Sequence, residues 1–195
     1  MNKKKRGVLT GMSIGDGHIP KNGYGITITH CAKQYEYIYH KALLLRSVCG
    51  GKLPRVVDID NNGYDGHTIY KSDKYFRILR KDLYKDNVKT ISESILNRLT
   101  PQGIAIWWMD DGSLYMKRHK GKIHAREGIL STYIPLDHNI MIANWFKENY
   151  NVTLIPVRHR TSYRLRINTT NLKDFLPIIE PYIIPSMLYK IDMKY

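Results

Sequence analysis

The 195-residue chain is 43% hydrophobic, enough to bury a core as one compact domain or two small ones, which excludes a disordered tract. Lysine and arginine number 31 against 17 acidic residues, a net charge of +14 with a pI near 9.7, and this excess points to a polyanionic partner. No apolar run approaches the roughly 20 residues of a membrane span, and the basic start at residues 1–6 leads into a glycine-rich stretch, so a membrane or secreted protein is not expected.

The first element is residues 8–18, VLTGMSIGDGH, an apolar run that closes on Asp16 and Gly17. Residues 24–30 alternate like a strand, and residues 34–48 place Tyr35, Ile38, Ala42 and Leu45 at helical spacing. Residues 53–60, the turn-rich NNGYDG and residues 67–71 read as a hairpin, followed by a helix capped by Ser72 and running to about Tyr84. Residues 85–99 are mixed and read as a connector. Cys31 and Cys49 have neither C-x-x-C spacing nor a histidine at zinc-like distance, so they read as reduced, packed thiols of an intracellular protein, in cytoplasm, nucleoid or organellar matrix.

At Thr100 the order begins again. Thr100 is an N-cap candidate with Pro101 at the first helical position, where a missing N–H costs nothing, so a helix is expected from there towards Gly112. Strands follow near residues 114–118 and 126–132, a helix at 136–150, strands at 152–157 and 163–168, and a helix from about Thr170 towards Tyr182. Asp16 and Asp111 stand almost half the chain apart, as in a duplicated unit. Each lies at the C-terminal end of its helix, the negative pole of the macrodipole, where an uncompensated carboxylate is unfavourable and invites a cation.

No basic amphipathic helix or lipidation motif supports a membrane surface, so nucleic acid is the partner expected from the charge. In residues 163–168, Tyr163, Leu165 and Ile167 fall on one face and Arg164, Arg166 and Asn168 on the other. Arg158 and Arg160 share a parity, Lys117 and Arg126 lie in the strands after Asp111, and the first half offers Thr27 with Thr29, or His67 with Lys71. These are the candidate DNA contacts, because a two-stranded ribbon fits the major groove, where arginine pairs with guanine and asparagine with adenine. An RNA-binding module would more naturally show exposed sheet aromatics or a GXXG loop, and neither is evident.

Residues 9–17, LTGMSIGDG, and 104–112, IAIWWMDDG, resemble the two signature helices of the LAGLIDADG homing endonucleases. The resemblance extends over the element order of both halves and through PSMLYK at residues 185–190, and is close to the single-chain, intron-encoded members. It implies an α+β fold of two pseudo-symmetric αββαββα repeats, residues 1–86 and 100–195, joined by a connector at 87–99. Their antiparallel sheets would form a DNA-binding saddle around the paired motif helices. The implied activity is that of a monomeric homing endonuclease cutting both strands of double-stranded DNA at a long, asymmetric target; the alternative is a non-catalytic intron maturase or DNA-binding protein.

By the same resemblance, Asp16 and Asp111 each serve one scissile phosphate and hold Mg²⁺, with Gly15 and Asp110 as further candidates for the metal shell. Mn²⁺ would substitute, and Ca²⁺ would bind without supporting efficient cleavage. Lys89 and Lys190 are the implied basic residues, one near each centre. Phosphodiester hydrolysis builds negative charge on the phosphoryl and leaving oxygens, and a carboxylate-bound divalent ion neutralises it. Gly11 and Gly15, one turn apart, flatten one face of the first helix for close approach. The second helix departs from the pattern by carrying Ile106 where the family usually has glycine, so an asymmetric pair is expected, a grooved helix against a bulky one. Trp107 and Trp108 read as core anchors.

Overall fold

The computed structural model describes residues 2–61 and 63–193; Asn62 in the expected turn and residues 1, 194 and 195 lie outside the described residues. Helix α1 (Lys3–Ile14) starts at Asn2, whose side chain accepts the Lys4 N–H, and every residue from Gly7 to Ile14 is buried. Helix α5 (Pro101–Asp111) starts as its sequence demands: Thr100 Oγ1 accepts the Gly103 N–H and Pro101 occupies the first turn. A helical stretch buried on all sides is stable only when surrounded, and residues 7–14 of α1 and 103–109 of α5 lie in the core with the two helices against each other.

Strand β1 (Gly25–Cys31), helix α2 (Tyr35–Cys49), strands β2 (Val57–Asn61) and β3 (Tyr64–Ser72), and helix α3 (Tyr75–Leu83) follow α1. Their sheet is antiparallel in the order β1-β3-β2. It is one strand short of the expected pair of hairpins. Before β1 only the isolated bridge His18↔Thr27 forms, because Pro20 has no N–H to extend a ladder and Gly23, at φ +67°, turns the chain after it. Ser72 does not cap α3; it ends β3, and the Asp73 carboxylate accepts the Tyr75 N–H at 2.9 Å instead.

The connector is more ordered than its mixed composition suggests. Strands β4 (Tyr84–Lys85) and β5 (Val88–Lys89) form a tight hairpin whose two central residues, Asp86 and Asn87, both take positive φ, the conformation a two-residue turn needs and these residue types tolerate. A short helix α4 (Glu93–Leu96) leads to α5.

After α5 come strands β6 (Gly112–His119) and β7 (Lys122–Ile134), helix α6 (Leu136–Tyr150), strands β8 (Ile155–His159) and β9 (Ser162–Ile167), and helix α7 (Thr169–Ile179), then 3-10 turns at Glu180–Tyr182 and Pro185–Lys190. The four strands run antiparallel in the order β6-β7-β9-β8. Gly128, Leu130, Leu165 and Ile167 share the packed face of this sheet. The largest core side chains include Trp107, which stacks on Phe146, and Trp108, which meets Phe175 edge-on. The tryptophans therefore anchor the core. Asn168 lies just past β9, where its Oδ1 accepts the Asn171 N–H and caps α7.

The contact between α1 and α5 is main chain on main chain. A Cβ on Gly11 would stand 2.3 Å from the Gly103 carbonyl oxygen, one on Gly103 would stand 2.4 Å from the Gly7 carbonyl oxygen, and one on Gly7 would overlap the Thr100 side chain. The expectation of a grooved helix against a bulky one is therefore corrected: α5 brings its own glycine, one turn before Ile106. Replacing Gly11 by alanine gains helix propensity of about 1 kcal/mol but drives a methyl into a carbonyl that cannot rotate away, and overpacking of this kind costs about 1–3 kcal/mol or more. Gly11→Ala should therefore lower the urea-unfolding free energy despite better propensity. An increase in the unfolding midpoint would show that the helices are not in contact here.

Candidate active site at the ends of the paired helices

Helix α1 ends at Gly15, whose N–H reaches the Gly11 carbonyl at 3.1 Å, and Asp16 follows in the turn with its side chain 40% exposed. Helix α5 ends with Asp110 and Asp111. The parallel packing of the helices brings the three carboxylates together: the Asp16 N–H donates to Asp110 Oδ2 at 3.0 Å, and the Trp107 indole N–H donates to Asp111 Oδ2 at 3.0 Å. Lys89, delivered by the β4–β5 hairpin, donates to the Gly15 carbonyl at 2.6 Å. Lys190, at the end of the last 3-10 turn, donates to the Gly112 carbonyl at 2.7 Å. Each helix thus meets a lysine at its negative pole, where a cation is stabilising.

Three further side chains close the site from β1 and α2. Lys41 Nζ lies 2.6 Å from Asp110 Oδ1 and 3.0 Å from His30 Nε2, the Tyr37 hydroxyl donates to Asp110 Oδ1 at 2.7 Å, and His30 Nδ1 lies 3.1 Å from Gln34 Oε1. Sequence reasoning missed all of them. The signal was a lysine standing in the apolar stripe Tyr37, Ile38, Ala42, Leu45, and a histidine continuing the inward parity of Ile26 and Ile28.

The electrostatics follow from crowding. Burial first, then Asp110 and Asp16, push the Asp111 carboxyl up to about 7, with Lys89 and the Trp107 N–H pulling the other way. Partial desolvation and Asp110 raise the Asp16 carboxyl, opposed by Lys41, Lys89 and Lys190. Burial lowers both Lys89 and Lys190, against the pull of the carboxylates. Burial and Lys41 bring His30 down to about 4, so its imidazole is neutral and its 3.6 Å approach to Asp16 is not an ion pair. Burial and Asp110 hold the Tyr37 hydroxyl well above its ordinary value, so it is a donor.

Oxygen donors with raised proton affinity suit a hard divalent cation, which would replace the proton and relieve the repulsion between the carboxylates. Ligand atoms of Asp16, His30 and Asp110 all lie within 4.8 Å of one another. Two of that group are already engaged: His30 lies between Lys41 and Gln34, and Asp110 accepts three donors. Of the three acids, Asp16 and Asp111 accept no side-chain hydrogen bond among the described residues other than that from Trp107.

The candidate DNA contacts separate into two sets. Thr27 and Thr29 share the open face of the first sheet, where Thr29 Oγ1 lies 3.1 Å from Thr68 Oγ1. His67 and Lys71 are on the opposite face, because strand parity alternates and they align with Ile69; Lys71 is bound by the Gly50 and Lys52 carbonyls and His67 by Asp58. On the second sheet Lys117, Arg164 and Arg166 share the open face, with buried Glu127 2.8 Å from Lys117 and 3.8 Å from Arg166. Arg126 has the other parity and donates to the Asp192 carbonyl. Arg158 and Arg160 flank the β8–β9 turn, where Arg160 takes positive φ, and Asn168 is engaged as the α7 cap.

A comparison with known families matches residues 6–175 to the LAGLIDADG DNA endonuclease family. Cytochrome b mRNA maturase bI2 of Saccharomyces cerevisiae is 28% identical over 98% of this chain, which spans 48% of that relative, about half its length. DNA endonuclease I-ChuI of Chlamydomonas applanata is 22% identical over 98% of this chain and 96% of its own. Among solved structures, the homing endonuclease I-WcaI bound to its DNA recognition sequence superposes with a TM-score of 0.83 at 21% identity, covering 100% of this chain and 88% of that one, and shares its α+β fold. No helix among the described residues is long and apolar enough to cross a membrane. With the family match covering most of its length, the chain belongs to the LAGLIDADG DNA endonuclease family.

Proposed function

We propose that the chain is a site-specific double-strand DNA endonuclease acting as a monomer on a long, asymmetric site. The observation that carries this reading is that the helix end bearing Asp16 is hydrogen-bonded across to Asp110, the neighbour of Asp111, with a lysine on a terminal carbonyl at each end. In this reading residues 1–86 and 100–195 are two halves of a pseudo-twofold, residues 87–99 connect them, and each half serves one strand. Asp16 and Asp111 hold divalent cations, Mg²⁺ or Mn²⁺ for cleavage and Ca²⁺ for binding alone. Such a cation activates water and neutralises charge on the phosphoryl oxygens. Lys89 and Lys190, fixed by main-chain carbonyls, present ammonium groups to the phosphates without needing to reorganise. The open faces of the two sheets, with Thr27, Thr29, Lys117, Arg164 and Arg166, lie along the DNA.

Similarity to an mRNA maturase supports a second reading, a non-catalytic splicing or DNA-binding protein on the same scaffold. Cleavage decides between them. Incubated with Mg²⁺ and a plasmid library of randomised sites, the wild-type chain should linearise a subset, while Asp16→Asn and Asp111→Asn should lose double-strand cutting and keep DNA binding. Full cutting by purified Asp111→Asn protein would falsify its cation-holding role, and no cutting by the wild type would favour the second reading.

Arg166→Ala should cost on the order of 1–3 kcal/mol at particular base pairs, whereas Lys117→Ala, if it faces phosphate, should weaken all sequences alike and lower the salt slope by about one. Unchanged affinity and preference in both would remove the open face of the second sheet from the DNA interface.

The raised Asp111 carboxyl also sets a pH dependence. Its native value near 7 exceeds the ordinary 3.8, so the metal-free native chain holds a proton that the unfolded chain releases. The stability this proton contributes is fully present below about pH 3.8 and is lost as pH rises through about 7. Asp111→Asn should flatten that part of the stability–pH profile in urea titrations; an unaltered profile would place the titration elsewhere.

A further inference from the structure

The two helix ends are held by different means. Asp111 is held through its side chain, by the Trp107 indole N–H. Asp16 is held through its main chain, by Asp110 Oδ2 reaching across from α5. The other Asp110 oxygen accepts from Lys41 Nζ and the Tyr37 hydroxyl, and the side chains of Asp110 and Lys41 are both 0% exposed. Gly15 makes the crossing feasible: a Cβ there would stand 2.1 Å from Asp110 Oδ2. A cation on Asp110 Oδ1 would have to displace an ammonium from a fully buried pair, which low-dielectric surroundings strongly oppose, and one on Oδ2 would have to take that oxygen from the Asp16 N–H.

We propose that Asp110 is a positioning residue and not a cation ligand: anchored by Lys41 and Tyr37 of α2, it fixes the peptide that carries Asp16. This rests on the reading of Asp16 and Asp111 as the cation-holding pair. Asp110 precedes Asp111 as Gly15 precedes Asp16, and glycine has no carboxylate to return the contact. The Asp16 centre is therefore clamped by the partner helix, and the Asp111 centre is not.

The test uses amide hydrogen exchange, followed by NMR, on the full chain without metal or DNA. Lys41→Met alone strands a buried carboxylate and should lower Tm; Lys41→Met/Asp110→Leu replaces the pair by apolar groups and should recover most of that loss. In the double variant the Asp16 amide should nevertheless exchange at least about tenfold faster, because its acceptor is gone. The Gly15 and Gly17 amides, which donate to the Gly11 and Met12 carbonyls, should keep their protection. Gly15→Ala, which pushes Asp110 Oδ2 aside, should release the same amide, and it carries the test if the double variant does not fold. Unchanged Asp16 protection, or release of all three amides together, overturns the proposal.

A second measurement reads the consequence for the reaction. On any plasmid site that the wild type linearises, the double variant should accumulate circles nicked in one strand; equal slowing of both strands overturns the positioning role. Because the exchange experiment contains neither DNA nor cation, failure of the wild type to cut would count against the endonuclease reading alone, and the exchange result would still decide this one.

Discussion

Helices α1 and α5 touch through their main chains because Gly7, Gly11 and Gly103 leave no side chain between them, and the rest of the site is a consequence of that contact. Helices with ordinary residues at these positions stand 8–10 Å apart, whereas glycine lets the backbones approach closely enough for each to lie against the other's carbonyls. Parallel helices in such contact end together. The two acidic turns that terminate them are thereby forced into one cluster, although nothing about a carboxylate would bring it beside another.

Forcing them together has an electrostatic cost that the surrounding chain offsets. Two unit charges about 4 Å apart at an effective dielectric near 20 repel by about 4 kcal/mol, and the negative helix poles add to this. Lys41 neutralises the innermost acid at 2.6 Å, and Lys89 and Lys190 sit on the carbonyls that carry the pole charge. After this compensation, Asp16 and Asp111 still hold raised carboxyl values. Burial and the neighbouring acids leave both groups with raised proton affinity, which a divalent cation would relieve. Lys41 has a different standing from the other two lysines: its side chain is sealed, and removing one partner of a buried pair costs on the order of 3–5 kcal/mol.

Much of this architecture is written locally. Thr100 and Pro101 start α5 where capping chemistry places them, and α6 occupies the residues at which periodicity puts it. The two Asp-Gly pairs mark the helix ends, and Lys89 and Lys190 are found at those ends. What could not be read depends on contacts between distant segments. Gly103 looks like an ordinary helix glycine until Gly7 and Gly11 are laid against it. Asp110 is indistinguishable from Asp111 by type and position, and their difference arises only when α2 brings Tyr37 and Lys41 to one of them. The first half's missing strand follows from Pro20: the residue pattern offers a single strand between α1 and α2, at residues 24–30, and a second was implied only by the family's repeat. Thr27 with Thr29 and His67 with Lys71 each share a parity within one strand, and only the sheet register shows that the two pairs lie on opposite faces.

Register also makes the two open faces chemically unlike. The first presents Thr27, Thr29, Thr68 and Tyr70, hydroxyl groups without charge. The second presents Lys117, Arg164 and Arg166 around buried Glu127. Glu127 does not cancel this face. Its single charge meets three cations, so the face stays positive, and by accepting from Lys117 it fixes the direction of a flexible side chain before any DNA arrives. Arg166 keeps a longer, 3.8 Å approach to the same acid and is 35% exposed, so its guanidinium retains donors for a base edge. With DNA along both faces as proposed, the open face of the second sheet would supply a salt-dependent attraction that the open face of the first lacks, while the first would discriminate through hydroxyl hydrogen bonds and methyl contacts, which salt leaves nearly untouched. Such a division suits a single chain. A homodimer must present the same chemistry twice, and only a protein that encodes both faces separately is free to assign attraction to one and neutral reading to the other.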